Sequence, residues 1–158
     1  MADLSPRAEA FWAAYLATQD APEAEARRLY GTFRIGDSKE SADEGARLVL
    51  SGTKTATSSL LWEYEAGGEA PPSVGALSVL EDGDGRPACI IETTEAEIRP
   101  FDAADEAFAA AYGEWDGTLA TWRRQCWHYY SAVCAGLGRE PREDMPLVCE
   151  RFRVVYPS

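Results

Sequence analysis

The stretch Asp82-Gly83-Asp84-Gly85 is the feature that most restricts how this chain can fold. Acidic residues alternating with glycine are typical of a tight turn, and apolar stretches lie on both sides, Val74–Leu80 before it and residues 88–98 after it. This arrangement predicts a β-hairpin. The two glycines also suggest a phosphate-binding loop, but such a loop leads from a strand into a helix, and here a second strand follows.

Apolar residues with helical spacing precede the hairpin. Ser5-Pro6 is typical of a helix start, and this first helix is expected to break near Ala21-Pro22 and to restart toward Leu29. A second helix is predicted over residues 40–50, followed by Gly52, because glycine is favoured just beyond a helix end.

The start of this second helix carries a recognisable capping pattern. Ser41 and Glu44 have the spacing of a capping box, in which each side chain accepts a hydrogen bond from the backbone of the other residue. The sequence therefore predicts a capping box of Ser41 and Glu44 at the start of this helix.

Helical spacing returns after the hairpin. One helix is expected from Phe101 with Asp102 as its cap, and another after Thr118, ahead of a terminal strand over Leu147–Tyr156. One side of the longer helix carries Trp122, Cys126, Tyr129 and Val133. Helices on both sides of a hairpin predict an α+β fold, a small sheet or barrel flanked by helices.

Length and charge restrict the classes of function. The 158 residues, 46% of them hydrophobic, fit one domain with a substantial core. No apolar run is long enough to span a membrane and no signal peptide is recognisable, so a cytoplasmic protein without a membrane partner is expected. The net charge of −12 opposes tight binding to a long polyanion and favours a small or neutral ligand.

Neither a metal nor another cofactor is expected. The cysteines at positions 89, 126, 134 and 149 lack Cys-x-x-Cys spacing, and His128 is the single histidine. A zinc site needs about four ligands at recognisable spacing, which this set does not provide. Buried, reduced thiols are therefore predicted.

Lys54 is one of two lysines among fifteen basic residues, which invites a specific explanation. An amine can lose its proton when it is desolvated, whereas an arginine side chain stays charged. The hydroxyls of Thr57, Ser58 and Ser59 follow, so this stretch is a candidate reaction centre. The alternative is that Lys54 interacts with the dipole of the preceding helix, a contact worth roughly 0.3–1 kcal/mol.

Several ordered motifs resemble the ASCH domain family of the PUA-like superfamily, in particular its longer bacterial subgroup. The resemblance spans about residues 36–156 and rests on Gly36-Asp37-Ser38, Gly52-x-Lys54-x-x-Thr57, Val74-Gly75, the strand 89–94, Glu114-Trp115-Asp116-Gly117-Thr118-Leu119 with Trp122, and residues 149–152. It implies a PUA-like β-barrel flanked by helices over residues 36–158, with residues 1–35 as an N-terminal helical extension packed on the core.

The resemblance also implies an activity. Small bacterial members are amidohydrolases that remove acetyl from N4-acetylcytidine with a lysine, a threonine and a glutamate, which here match Lys54, Thr57 and Glu114. Glu92 is a second candidate for the acid. The family commonly has an arginine where this chain has Ser59, which leaves the choice of substrate open.

Our prediction is a hydrolase that acts on a modified nucleoside, with N4-acetylcytidine as the expected substrate. Ser58, Ser59 and Trp62 are expected to bind it, and Tyr64 and Trp115 are further aromatic residues that could stack on a base. The alternative is a domain that binds or cleaves single-stranded RNA, as other members of the family are reported to do. A non-catalytic interaction module is the third possibility.

Overall fold

The structure is a computed structural model that describes residues 3–157. The helices are α1 (Pro6–Leu16), α2 (Pro22–Ala26), α3 (Lys39–Leu50), α4 (Leu61–Gly67), α5 (Glu106–Tyr112) and α6 (Leu119–Gly136). The strands are β1 (Leu29–Phe33), β2 (Ala56–Leu60), β3 (Leu77–Glu81), β4 (Pro87–Pro100) and β5 (Pro146–Tyr156). A short 3-10 turn, Phe101–Ala103, follows β4.

The five strands form a sheet in the order β1-β3-β4-β5-β2. β1 is parallel to β3, whereas β3 and β4 are antiparallel and β2 is antiparallel to β5. The predicted α+β class is confirmed. The sheet is open, with β1 and β2 at its two ends, where the resemblance implied a closed barrel.

The predicted hairpin joins β3 to β4. One carboxylate oxygen of Asp82 accepts hydrogen bonds from the backbone N–H groups of Asp84 and Arg86, each at 2.9 Å. An aspartate at the start of a turn commonly bonds to the backbone two residues later, which explains why this short sequence specifies the turn.

The chain divides into two compact units, the first comprising residues 3–52, 72–94 and 152–157 and the second residues 53–71 and 95–151. β4 and β5 each contribute residues to both units. The sequence suggested a boundary at residue 35, whereas these two units divide the chain at other positions. The boundary at residue 35 stays a prediction.

In the first unit, β3 is buried along its whole length. Leu77 and Val79 pack in one cluster with Trp12 and Tyr15 of α1, while Leu80 packs in another with Val49 of α3. Alternate residues of a strand face opposite sides, so helices cover both faces of β3. This explains why its sequence is a short apolar run without polar alternation.

Local capping explains where these helices begin and end. Ser5 accepts a hydrogen bond from the backbone of Ala8, which confirms the predicted start of α1. α3 begins at Lys39, one residue before the predicted range, and Ser38 and Ser41 form its capping box in place of Ser41 and Glu44. Gly52 has a positive φ of 81° just beyond α3, as predicted.

Two further expectations differ from the structure. The restarted helix, α2, covers Pro22–Ala26 and ends before Leu29, because residues 29–33 form β1 and pair in parallel with β3. Asp102 lies in the 3-10 turn, and Asp105 caps α5 by accepting a hydrogen bond of 2.8 Å from the backbone of Phe108. The cap of α6 is Thr118, as predicted.

The second unit has its own core between α4, α5, α6 and β2. Trp122 and Tyr130 of α6 are almost fully buried with Phe108 of α5 and Leu60 of β2. Phe101 stacks on the Trp122 ring with centroids 5.3 Å apart. Of the residues that the helical spacing placed on one side of α6, Trp122 and Cys126 fill this core, whereas Tyr129 and Val133 are only partly buried against it.

Two helical glycines allow a matched test of packing. A Cβ at Gly45 of α3 would lie 2.3 Å from the Cβ of buried Ile35, whereas a Cβ at Gly136 of α6 would meet nothing within 4 Å. We expect Gly136→Ala to raise the free energy of unfolding by roughly 0.5–1 kcal/mol through helix propensity. Gly45→Ala should lower the free energy of unfolding by about 1–2 kcal/mol, because the overpacking against Ile35 costs more than the gain in helix propensity. Urea denaturation of both variants checks this, and equal effects would contradict it.

Candidate active site

Lys54 lies just before β2 in the second unit and is enclosed there, with none of its side chain exposed. Its Nζ atom lies 2.8 Å from Oε2 of Glu114 and donates a hydrogen bond of 3.1 Å to the carbonyl oxygen of Tyr112. The same ammonium lies 3.3 Å from the centroid of the Tyr112 ring, a cation–π contact. The Glu114 carboxylate, the Tyr112 carbonyl and the Tyr112 ring thus take the place of water around the ammonium.

The lysine interacts with a helix terminus, although a different one from the terminus that its sequence position suggested. Tyr112 is the last residue of α5, so Lys54 donates to a carbonyl that the helix leaves without an internal partner. A cation at a helix C-terminus is favoured by the helix dipole. The alternative named the preceding helix, α3, whereas the contact that the structure shows is with the end of α5.

Burial changes the acidity of this amine. Desolvation lowers the pKa of Lys54 to about 8 from 10.5, because the charged form loses its hydration, while the neighbouring Glu114 carboxylate opposes this shift. The side chain is therefore still mostly protonated at pH 7. A strongly shifted pKa on an enclosed group with a specific charge partner is typical of functional sites.

Gly113 is the residue that allows this approach. Its φ is 70°, and a Cβ there would lie 2.2 Å from the carbonyl oxygen of Thr53 and 2.8 Å from the Cα of Lys54. Only glycine lets the end of α5 come this close to the backbone that carries the lysine. The next residue along the chain is Glu114, so the same close approach brings the carboxylate to the ammonium.

The rest of this loop is fixed by Asp116. Its carboxylate accepts hydrogen bonds from the backbone N–H and hydroxyl of Thr118, at 3.0 and 2.7 Å, and from the hydroxyl of Thr121 at 2.8 Å. These bonds tie the loop to the first turn of α6. We refer to residues 113–117 as the Glu114 loop.

The three predicted hydroxyls divide between the two faces of β2. Ser58 is hydrogen-bonded to the hydroxyl of buried Tyr130, 2.6 Å away, on the face that also carries Ala56 and Leu60 of the core. Strand alternation places Thr57 and Ser59 on the opposite face.

On that opposite face, Thr57 lies across from Glu150 of β5, and Ser59 is hydrogen-bonded to the hydroxyl of Tyr64 at 2.9 Å. The structure therefore joins Lys54 directly to Glu114 and gives Thr57 and Ser59 different neighbours. A nucleophilic role for Thr57 stays a prediction.

Trp62 and Glu92 have structural partners. Trp62 is buried in the core of the second unit, and the guanidinium of Arg139 covers its ring at 3.6 Å, so this ring does not present a free face to a base. Glu92 belongs to the first unit and binds Arg28 and Arg153. Burial raises the pKa of Glu92, but hydrogen bonds from these arginines outweigh it, and the pKa is lowered.

Sequence reasoning overlooked the part that Tyr112 plays. Its spacing four residues after Phe108 indicated only a packed helix face, whereas the structure uses both its ring and its carbonyl oxygen to surround Lys54. The available signal was Gly113, since glycine after a helical pattern indicates a helix end with free carbonyls.

Among the described residues no cluster of three His, Cys, Asp or Glu side chains has the arrangement of a metal site. Within the same residues, no helix combines the length and the apolar character needed to cross a bilayer.

Comparison with known proteins identifies the class. The family model for the ASCH domain matches residues 31–156. The crystal structure of an ASCH domain from Lactobacillus crispatus JV V101 is 37% identical, covers 97% of this chain and 96% of its own, and superposes with a TM-score of 0.90. The structure of protein EF3133 from Enterococcus faecalis V583 is 32% identical over 93% of this chain and 86% of its own, with a TM-score of 0.82.

None of the curated proteins matches this sequence. The family match and the two structures nevertheless agree with each other and cover most of the chain. The chain belongs to the ASCH domain family.

The close approach at Gly113 can be tested against a second glycine of the same loop. Gly113 and Gly117 both have positive φ, of 70° and 75°, but a Cβ at Gly117 would meet nothing within 4 Å. We expect Gly117→Ala to lower the free energy of unfolding by about 1 kcal/mol, the cost of the left-handed conformation. Gly113→Ala should cost about 1–3 kcal/mol more, because the backbone of Thr53 must also move. Chemical denaturation measures both, and a difference near zero would refute the close approach.

The buried charge of Lys54 should appear in the pH dependence of stability. The folded pKa of Lys54, about 8, lies below the unfolded value of 10.5, so between these pH values the unfolded chain binds more protons and the folded state gains stability as the pH rises. Relative to Lys54→Met, the wild-type free energy of unfolding should rise by an amount on the order of 3 kcal/mol from pH 8 to pH 10.5.

The other lysine provides the control. Lys39 is exposed and its pKa is raised by its hydrogen bond to Asp43, so the wild type should lose a little stability relative to Lys39→Met as the pH rises. Urea denaturation at several pH values gives both difference curves, in which the titrations of other groups cancel. A flat curve for Lys54 would show that its charge is not buried.

Proposed function

We propose that this protein is an amidohydrolase that removes the acetyl group from N4-acetylcytidine, with Lys54 and Glu114 as its acid–base pair, in which Glu114 transfers the proton and Lys54 supplies positive charge. The observation that carries the proposal is the enclosed pair itself. The ammonium is fully covered, whereas the Glu114 side chain, 2.8 Å away, is 15% exposed. Glu114 can therefore contact a substrate, while the enclosed Lys54 ammonium sets the electrostatic environment of this carboxylate.

The partly exposed carboxylate of Glu114 is suited to act as a general base and then as a general acid. Glu114 takes a proton from the attacking oxygen, which adds to the acetyl carbonyl carbon and forms a tetrahedral intermediate. The protonated carboxyl then gives this proton to the amide nitrogen as its bond to carbon breaks. With water as the nucleophile, the products are acetate and cytidine.

The attacking oxygen belongs either to water or to Thr57, and the role of Glu114 is the same in both routes. Attack by Thr57 would form an acetyl ester that a water molecule hydrolyses in a second step. Lys54 contacts Glu114 and Tyr112, whereas Thr57 lies across from Glu150 of β5, and this difference in neighbours favours water. Thr57 remains the nucleophile that the family resemblance implies.

Lys54 contributes through its charge. Before reaction the ammonium and the carboxylate together are neutral. When Glu114 accepts the proton, the pair becomes positive at the moment when negative charge develops on the carbonyl oxygen of the substrate. In an enclosed site this field is weakly screened, so the transition state is stabilised more than the bound substrate.

The charge of the whole chain favours a free nucleoside over a long RNA. The net charge of −12 opposes contacts with many phosphates, and Ser59 stands where the family resemblance implies an arginine. N4-acetylcytidine has no phosphate, and its base is uncharged, as the base of cytidine is.

Hydrolysis of N4-acetylcytidine by the purified protein, followed by chromatography of the released cytidine, tests the proposal. We expect Lys54→Met and Glu114→Gln to reduce kcat/KM by about 100-fold or more, the usual scale for loss of acid–base catalysis. Lys39→Met and Glu92→Gln replace the other lysine and the other candidate acid, and should retain the wild-type rate. Thr57→Ser and Thr57→Val distinguish the nucleophiles, since only a threonine route requires a hydroxyl there.

The pH profile provides a second readout of the same experiment. Activity should decrease as the pH rises through about 8, because Lys54 then loses the charge that the mechanism requires. An increase through this pH would show that the neutral amine is the active form. Absence of cytidine release from the wild type would refute the proposal, and shortening of single-stranded RNA in a parallel reaction would establish the alternative activity.

A further inference from the structure

Trp115 is a large aromatic residue that the fold leaves at the surface. Its side chain follows Glu114 directly in sequence, and the residue is 49% exposed. Among the exposed large hydrophobic residues of the described chain, the others are Tyr30, Leu50, Val74 and Ile98. Trp115 is the one in the same loop as the exposed carboxylate of the acid–base pair.

The backbone at Trp115 is in an unfavourable conformation. Its φ is 58°, and within residues 3–157 it is the one non-glycine residue with a positive φ. This region costs free energy for any residue with a Cβ, and most of all for a bulky one. Gly113 and Gly117, two residues away on each side, adopt it without that cost. A glycine would therefore suit the backbone at position 115 better than tryptophan does.

The indole ring is nevertheless held in a defined orientation. It lies parallel to the Tyr112 ring within 16°, with the centroids 5.9 Å apart, and the Tyr112 ring in turn contacts the Lys54 ammonium. The hydrogen bonds of Asp116 fix the residue that follows. A strained backbone, an exposed ring and a rigid support are the combination expected where a side chain is retained for a function.

We propose that Trp115 is the stacking surface for the pyrimidine ring of the substrate. This inference rests on the proposed function, since it assigns the base-binding part of the same site. An uncharged planar base needs an exposed, oriented aromatic face, which Trp62 does not offer beneath Arg139. A base stacked on Trp115 lies beside Glu114. The exocyclic nitrogen of the base is then close enough to the Glu114 carboxylate to receive a proton from it.

Calorimetric titration with cytidine, the reaction product, measures this contact without any turnover. Trp115→Asn removes the ring and keeps a residue that tolerates positive φ, whereas Trp115→Phe keeps a smaller ring. We expect Kd for cytidine to rise about 10- to 100-fold in Trp115→Asn and several-fold in Trp115→Phe, from the usual strength of base stacking. Val74→Asn, which removes another exposed apolar side chain, should leave Kd unchanged.

Thermal unfolding separates binding from structural support. The midpoint of Trp115→Asn should match or exceed that of the wild type, because the strained tryptophan backbone is relieved. A lowered midpoint with unchanged Kd would show that the indole only supports the loop, which overturns the inference.

The outcome for Trp115 is distinguishable from the outcome for the reaction. Cytidine release by the wild type, together with an unchanged Kd in Trp115→Asn, would refute the stacking role and leave the hydrolase standing. Weaker cytidine binding in Trp115→Asn without any hydrolysis would refute the hydrolase and keep the base-binding surface. If the wild type does not bind cytidine, the stacking role is refuted whatever the activity.

Discussion

The enclosed positive charge of Lys54 is the constraint on which the second unit depends. An ammonium removed from water destabilises a protein by several kcal/mol unless other groups replace its hydration. Here a carboxylate, a helix-terminal carbonyl and the face of an aromatic ring do so together. Each of the three requires a particular position of the end of α5, so one buried charge determines the local course of the chain from Tyr112 to Glu114.

This requirement explains the unusual backbone of the Glu114 loop. Gly113 is needed because the end of α5 approaches the backbone of Thr53 too closely for a side chain. Trp115 then adopts a left-handed conformation that its own side chain disfavours, and Asp116 holds the loop against α6. The loop thus holds the partly exposed carboxylate beside a fully enclosed ammonium, and charges in such a water-excluded site are weakly screened.

The first unit has a different character. Its strand β3 is buried on both faces by α1 and α3, and ion pairs link Glu92 with Arg28 and Arg153. The Lactobacillus crispatus structure covers 97% of the chain, although the family model begins at residue 31. The N-terminal helices therefore belong to the architecture shared with that structure and are not peculiar to this chain.

Local chemistry made part of the fold predictable. The Asp82–Gly85 turn, the Ser5 cap and the Thr118 cap depend on hydrogen bonds between residues a few positions apart, and the sequence indicated all three. Two serines with the spacing of a capping box lie at the start of α3, and the prediction placed the cap at Ser41, whereas the structure has it at Ser38.

Contacts distant in sequence were decided only by the tertiary structure. Residues 29–33 extend because β3 pairs with them, which nothing in their own pattern shows. Lys54 and Glu114 could be associated in advance only through the family resemblance, since they are far apart along the chain. Their contact depends on how closely α5 packs against the segment before β2. The sequence by itself determined the hairpin, the starts of α1 and α6 and the presence of one unusual lysine. The packing of α5 decided that this lysine is enclosed and paired, because burial and charge pairing exist only after the chain has folded.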